Sequence, residues 1–324
     1  MKNSSSKDCS IVFMGTPEFA VASLQALVEA GYNVVTVVTA PDKPAGRGLL
    51  LQPSPVKQYA LERGIPLLQP VKLRDEAFLR SLQQLRADLF IVVAFRMLPE
   101  QVWRIPRLGA FNLHASLLPK YRGAAPINWA IINGETETGV TTFFIDENID
   151  TGKILLSEKI AISPADTAGT LHDTLKDIGK SLVLKTVDDV VSGCLQPAAQ
   201  SAGGADEIPT APKLFKETCR ISWQKRGCEL VNFVRGLSPY PAAWCELIAD
   251  GAAPQQAKIF AAHAEPATGN LPQPGALVSD GRALLKAACA DGFLCIDELQ
   301  LAGKKRMKTE EFLRGARGNL QMWR

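Results

Sequence analysis

The opening of the chain constrains the fold more than any later segment. SIVFMG (10–15) is a short apolar run ending in glycine, and NVVTVVT (33–39) is a second one rich in β-branched residues. Between them Ala20, Val21, Leu24, Leu27 and Val28 recur at helical spacing, which predicts one amphipathic helix. Thr16 is the expected N-cap, Pro17 the first helical residue and Gly31 the stop. Two strands joined through a helix cannot form a tight hairpin. They form a βαβ unit, whose crossover is right-handed and whose strands lie parallel.

The alternation continues with a helix near 55–63, a short strand in IPLLQ (65–69) and a helix near 75–86. Strands follow at 88–95 and 109–115, a helix near 125–132, strands at 139–146 and 153–162, and a helical stretch over 167–191 interrupted near Gly179. This predicts an open Rossmann-like α/β sheet. The dinucleotide fingerprint is missing, because GTPEFA stands where G-x-G-x-x-G would be needed.

After Cys194 the pattern changes. LQPAAQSAGGADEIPTAP (195–212) has no apolar periodicity and reads as a linker. Beyond it AWCELIA, AKIFAAH, GALVS, ALLKAAC and GFLCIDELQL are short β-like runs set off by glycine and proline, the pattern of a small OB-like β-barrel. The expected division is an α/β domain over 1–194, a linker over 195–212 and a barrel domain over 213–324. A chain of 324 residues has room for both cores.

Charge is divided along the same line. Residues 1–207 carry 20 Lys and Arg against 22 Asp and Glu, whereas residues 208–324 carry 16 against 11. From Gly303 onward seven basic residues, Lys304, Lys305 and Arg306 among them, face only Glu310 and Glu311. Such asymmetry suits a polyanionic partner and equally a solvated basic surface. The seven cysteines are scattered without C-x-x-C, which points to reduced thiols and offers no zinc spacing. The polar start lacks a signal-peptide core, and no apolar run reaches the roughly 20 residues of a bilayer span. The expectation is a cytoplasmic monomer without membrane or metal.

Within AFNLHASLLPKYRG (110–123), Asn112 and His114 are two apart on a predicted strand and share one face, while Phe111, Leu113 and Ala115 share the other. In open α/β sheets ligands bind beyond the carboxyl ends of the strands, where these two polar groups should lie. IDENIDTG (145–152) adds Asp146, Glu147 and Asp150 in a loop after another strand. An amide, an imidazole and a carboxylate can stabilise the oxyanion of a tetrahedral carbon; a histidine merely satisfied within the core is the competing reading. His172 and His263 have no comparable setting.

N-L-H-A-S-L-L-P-K-Y-R-G-A-A-P-I-N-W-A, followed by G-E-T-E-T-G-V-T and D-E-N-I-D-T-G, resembles the folate-dependent formyltransferase family. FMGTPEFA, PDKPAGRG, PSPVK, SPYPAAW, PGAL and L-A-G-K-K-R-M are similar to those members that formylate charged initiator tRNA. The resemblance spans essentially the whole chain. It implies transfer of a formyl group from 10-formyltetrahydrofolate, a co-substrate, to the α-amine of methionyl-initiator-tRNA, with Asn112, His114 and Asp150 as the catalytic trio. It further implies folate contacts along Ser116, Leu117, Leu118 and Pro119. Arg47 matches an arginine that meets the acceptor end of the tRNA, with Lys43 nearby and Lys304, Lys305 and Arg306 on the basic domain. A UDP-linked 4-amino sugar is the alternative acceptor. Arg96 stands where the family usually has glycine, and Leu49, Leu50 and Leu51 where many members have lysines.

Overall fold

The computed structural model describes residues 6–45, 50–201, 208–249, 253–315 and 320–323. They divide into two compact units. One comprises residues 1–123, 138–160 and 172–210, the other 124–137, 161–171 and 211–324.

The first unit holds a seven-stranded sheet of β1 (Ile11–Gly15), β2 (Val34–Val38), β3 (Leu67–Leu68), β4 (Leu89–Val93), β5 (Ala110–His114), β6 (Glu137–Phe144) and β7 (Ile154–Ala161). Its order is β7-β6-β5-β4-β1-β2-β3. Strands β1 to β5 pair in parallel, and β6 joins β5 antiparallel, with His114 opposite Thr141 and Asn112 opposite Phe143. Every residue of β1 and of β4 is buried, as expected for strands covered on both faces. This is the Rossmann-like order, with β1 beside both β2 and β4, so the strand order reverses at β1 while the strands stay parallel.

Two local expectations need correction. The first helix spans Glu18–Glu29, with Pro17 rather than Thr16 at the N-cap and no side-chain cap; the Pro17 carbonyl accepts from the Ala20 N–H. Nor is the long helix broken at Gly179: it runs unbroken over Ala168–Ser192. Glycine there serves close approach rather than a break. A Cβ on Gly179 would come within 2.8 Å of Leu113 Cδ2, so the missing side chain lets the helix seat against the back of β5.

The second unit carries an antiparallel sheet in the order Leu277–Ser279, Leu285–Ala288, Gly292–Leu301, Gln255–Pro266, Ala243–Ala249, Leu320–Trp323, with Met307–Lys308 beside Gly292–Leu301. Irregular register near Ala261 bends the long central pair, and Trp323 N–H donates to Gly275 O at 2.8 Å, tying the last strand to the segment just before the first. The sheet therefore curls into a half-barrel of the OB-like kind. The helix Gly227–Leu237, for which the sequence reading made no provision, fills it with Leu230, Phe233, Val234 and Leu237 packed among Trp223, Ile259, Leu294 and Trp323. Among the described residues no helix is long and apolar enough to cross a membrane.

Candidate active site

The first unit brings Asn112, His114 and Asp150 to the carboxyl end of β5. Phe111 and Leu113 point into the core and are buried, which turns Asn112 and His114 to the other face. His114 is buried and Asn112 half-buried; the Asn112 amide makes no hydrogen bond to another described residue.

His114 is fixed from two sides. Its Nε2 lies 2.8 Å from the Tyr121 carbonyl oxygen, which can only accept, so this nitrogen carries hydrogen. The Phe143 ring meets the imidazole edge-on at 6.4 Å. Nδ1 faces Asp150 Oδ2 at 3.7 Å, within ion-pair reach but too long for a direct hydrogen bond. The same Oδ2 accepts from the Gly123 N–H at 2.9 Å. Asp150 itself sits in the left-handed backbone region with φ +56. Gly152, two residues on, has no room for any side chain: a Cβ would lie 1.6 Å from the Phe144 carbonyl oxygen.

Asp146 does not join this constellation. Its Oδ1 caps its own loop, accepting from the Asn148 N–H and the Thr151 hydroxyl, and Glu147 is exposed.

The SLLP segment leaves β5 as a tight turn. The Ser116 hydroxyl donates to the Lys120 carbonyl at 2.7 Å, and the Leu118–Pro119 peptide is cis. Ser116 and Leu118 are buried, whereas Leu117 and Pro119 are half-exposed. Thr141, absent from the sequence reading, organises this turn from β6: its hydroxyl donates to Ser116 O at 2.7 Å and lies 3.3 Å from the Leu118 N–H. The signal was there in GVTTFF, where two buried threonines interrupt an apolar strand. Arg96 reaches away along the neighbouring chain, donating to the Val71 and Pro70 carbonyls at 3.0 and 2.8 Å while lying over the Phe95 ring at 5.1 Å. Burial holds its guanidinium below its ordinary pKa.

The basic residues are not gathered at one point. Lys43 is exposed in the strand Lys43–Ala45, which pairs with Leu50–Gln52 in the first unit; Arg47 lies outside the described residues. Lys304, Lys305 and Arg306 belong to the second unit. There Lys305 pairs with Glu311 at 3.1 Å, Arg306 pairs with Glu298 and covers Phe260 at 4.4 Å, and the Lys304 ammonium has no partner among the described residues. A second cation–aromatic group was not foreseen: Lys216 and Arg220 both lie over Trp244, at 5.4 and 5.2 Å. Glu18, His172 and Asp173 in the first unit come close enough to suggest a cation site, but the Lys176 ammonium already sits 2.7 Å from Glu18 and 3.3 Å from Asp173.

An unpartnered amide, an imidazole and a carboxylate at one strand end can polarise a carbonyl and hold the oxyanion formed on it. Comparison with known proteins agrees with that chemistry. A family model described as formyl transferase matches residues 9–187, and one described as the formyl transferase C-terminal domain matches residues 213–317. A methionyl-tRNA formyltransferase of Bacteroides thetaiotaomicron is 55% identical over 312 residues, covering 96% of this chain and 97% of that one. Another from Parabacteroides distasonis is 56% identical over 312 residues, covering 95% and 96%. Among solved structures, an N-formyltransferase from Helicobacter canadensis, in complex with folinic acid and dTDP-3-aminofucose, matches with a TM-score of 0.63. It covers 92% of this chain and 100% of its own, and at 19% identity the likeness is one of fold.

Proposed function

The chain belongs to the formyl transferase family, and from that premise we propose that it moves the formyl group of 10-formyltetrahydrofolate onto the α-amine of methionyl-initiator-tRNA. The observation that carries this reading is the identity of 55% over 96% of the chain with a relative named for that acceptor. It runs through both units, whereas the likeness to the amino-sugar enzyme is one of fold at 19% identity.

The site geometry supports a mechanism in which the substrate amine is itself the nucleophile. Esterification of the methionyl carboxyl lowers the basicity of the neighbouring amine, so a useful fraction is neutral near pH 7. Attack on the formyl carbon gives a tetrahedral oxyanion. Asn112, whose amide is not engaged elsewhere, donates to it. Tyr121 holds Nε2, so Nδ1 is the ring atom left to act; in the imidazolium form it carries a proton toward the same oxygen. Asp150, 3.7 Å from Nδ1, stabilises that cation and accepts the proton the amine must lose, directly or through water. As the bond to the folate nitrogen breaks, that nitrogen takes up the proton held by Asp150, the carbonyl re-forms and tetrahydrofolate is released. Leu117 and Pro119 offer the half-exposed apolar surface of the turn to the folate, while Ser116 and Leu118 hold its shape.

Lys43 and Arg47 from the first unit and Lys304, Lys305 and Arg306 from the second would meet tRNA phosphates, a contact that weakens steeply with salt.

The test is formyl transfer from 10-formyltetrahydrofolate to charged initiator tRNA, with charged elongator tRNA and a UDP-linked 4-amino sugar as rival acceptors and His114→Ala as control. Transfer to the initiator alone, lost in the variant, is expected. Transfer to the sugar instead would keep the trio and remove the tRNA.

A further inference from the structure

We propose that Gln200 and Arg122 are the positioning pair for Asp150, so that the segment following the long helix is part of the reaction's machinery; this rests on the catalytic reading of Asp150 given above. The left-handed backbone at Asp150 is uncommon outside glycine, and aspartate adopts it only where its surroundings hold it. Something must hold it there, and two anchors do. The first is the Gly123 N–H on Oδ2 at 2.9 Å. The second grips the backbone: Gln200 Nε2 donates to the carbonyl oxygens of Asp150 at 2.9 Å and Gly152 at 2.8 Å. One side-chain NH2 thereby spans the turn on either side of Thr151, and both of its hydrogens are used.

The two anchors are also joined to each other. Gln200 Oε1 accepts from Arg122 Nε at 3.1 Å and Nη2 at 2.6 Å, and Arg122 precedes Gly123 in the chain. Gln200 is held in turn by its neighbour Ala198, which exchanges backbone hydrogen bonds of 2.8 and 2.9 Å with Ile154 of β7. The carboxylate, the donor that orients it and the clamp on its backbone thus form one closed circuit. A primary amide alone serves at position 200, since it must donate twice and accept at the other atom. Glutamate would keep the acceptor for Arg122 but set a charged oxygen against two carbonyls, and methionine would keep the length and make none of the bonds.

The experiment measures formyl transfer from 10-formyltetrahydrofolate to charged initiator tRNA for Gln200→Met and Gln200→Glu, each in the wild-type chain and in Asp150→Asn. A misplacement of about 1 Å can cost on the order of 10²-fold, so kcat in the wild-type background should fall by about 10- to 100-fold. KM for both substrates should change little, and Gln200→Glu should do no better than Gln200→Met. In the Asp150→Asn background neither substitution should lower kcat further, because the group it positions is already gone. Gln200→Glu carries the same expectation should Gln200→Met fail to fold. An unchanged kcat, or the same fold-loss in both backgrounds, would overturn the inference while leaving Asp150 catalytic. Full turnover in Asp150→Asn itself would overturn the underlying reading.

Discussion

The two units dispose of their polar groups in opposite ways. In the first, the site groups are buried or half-buried and fixed by specific hydrogen bonds: His114 by the Tyr121 carbonyl, Asp150 by the Gly123 N–H, the SLLP turn by the Thr141 hydroxyl. In the second, several cations are exposed and laid over aromatic rings beside carboxylates, as Arg306 lies over Phe260 next to Glu298 and Arg220 over Trp244 next to Glu246. On the proposed function the first unit would act by placing a few groups to within an ångström, and the second through the summed field of its cations. A small reacting group requires the first arrangement; a long polyanion is served by the second.

The largest expected effect tests the geometric half directly. Asn112→Ala removes a neutral donor, and kcat should fall roughly 10²–10³-fold with little change in KM for tRNA, read by steady-state formyl transfer. A loss confined to KM would mean that the amide binds substrate rather than the transition state.

Gly152→Ala also changes no charge. Its Cβ would press on the Phe144 carbonyl oxygen, which cannot give way without moving the end of β6. A loss of about 3 kcal/mol, at the upper end of overpacking, should appear as a lower urea midpoint with unchanged m. If the substitution is tolerated, the Asp150 loop is less constrained than the comparison requires.

Asp88 extends the contrast to stability. Burial pushes its carboxyl up, but the Ser10 N–H and hydroxyl and the Arg107 guanidinium outweigh it and hold the group below the usual carboxylate range. A depressed carboxylate contributes stability that is complete above its unfolded-state pKa of about 3.9 and is lost as pH falls through the lower folded-state value. Asp88→Asn should therefore cost on the order of 1–2 kcal/mol at pH 7 and progressively less as pH falls below about 3.9, compared by urea titration at pH 7 and in that acid range. A cost equal at both would assign the effect to shape rather than charge.

The smallest effect belongs to the second unit. Lys304→Gln should weaken tRNA binding modestly, lower the steepness of the salt dependence by about one and leave kcat alone, while Lys304→Arg should match the wild type. A kcat effect without a change in salt dependence would break the division between geometry and field.

How far each layer could be read in advance follows the range of the forces involved. The βαβ opening, the order of elements around β5 and the pairing of Asn112 with His114 on one face rest on local periodicity, carried by residues 10–39 for the first and 88–123 for the others. The long helix was misjudged at Gly179 because a glycine looks the same whether it ends a helix or makes room for Leu113. The helix Gly227–Leu237 went unread because it stands between the linker and the first strand-like run, and its apolar face acquires meaning only inside the curled sheet.

The site divides along the same line. Sequence by itself determined the residue types and the strand that presents them, since alternation along a strand is a property of the backbone. It also determined the imbalance of charge between the two halves, which is plain counting. The resemblance had already singled out Asp150; only tertiary structure decided that Thr141 shapes the SLLP turn and that Gln200 in an Ala- and Pro-rich stretch clamps the loop. Those choices depend on hydrogen bonds between residues tens of positions apart. A hydrogen bond requires a distance and an angle, and no local pattern encodes either.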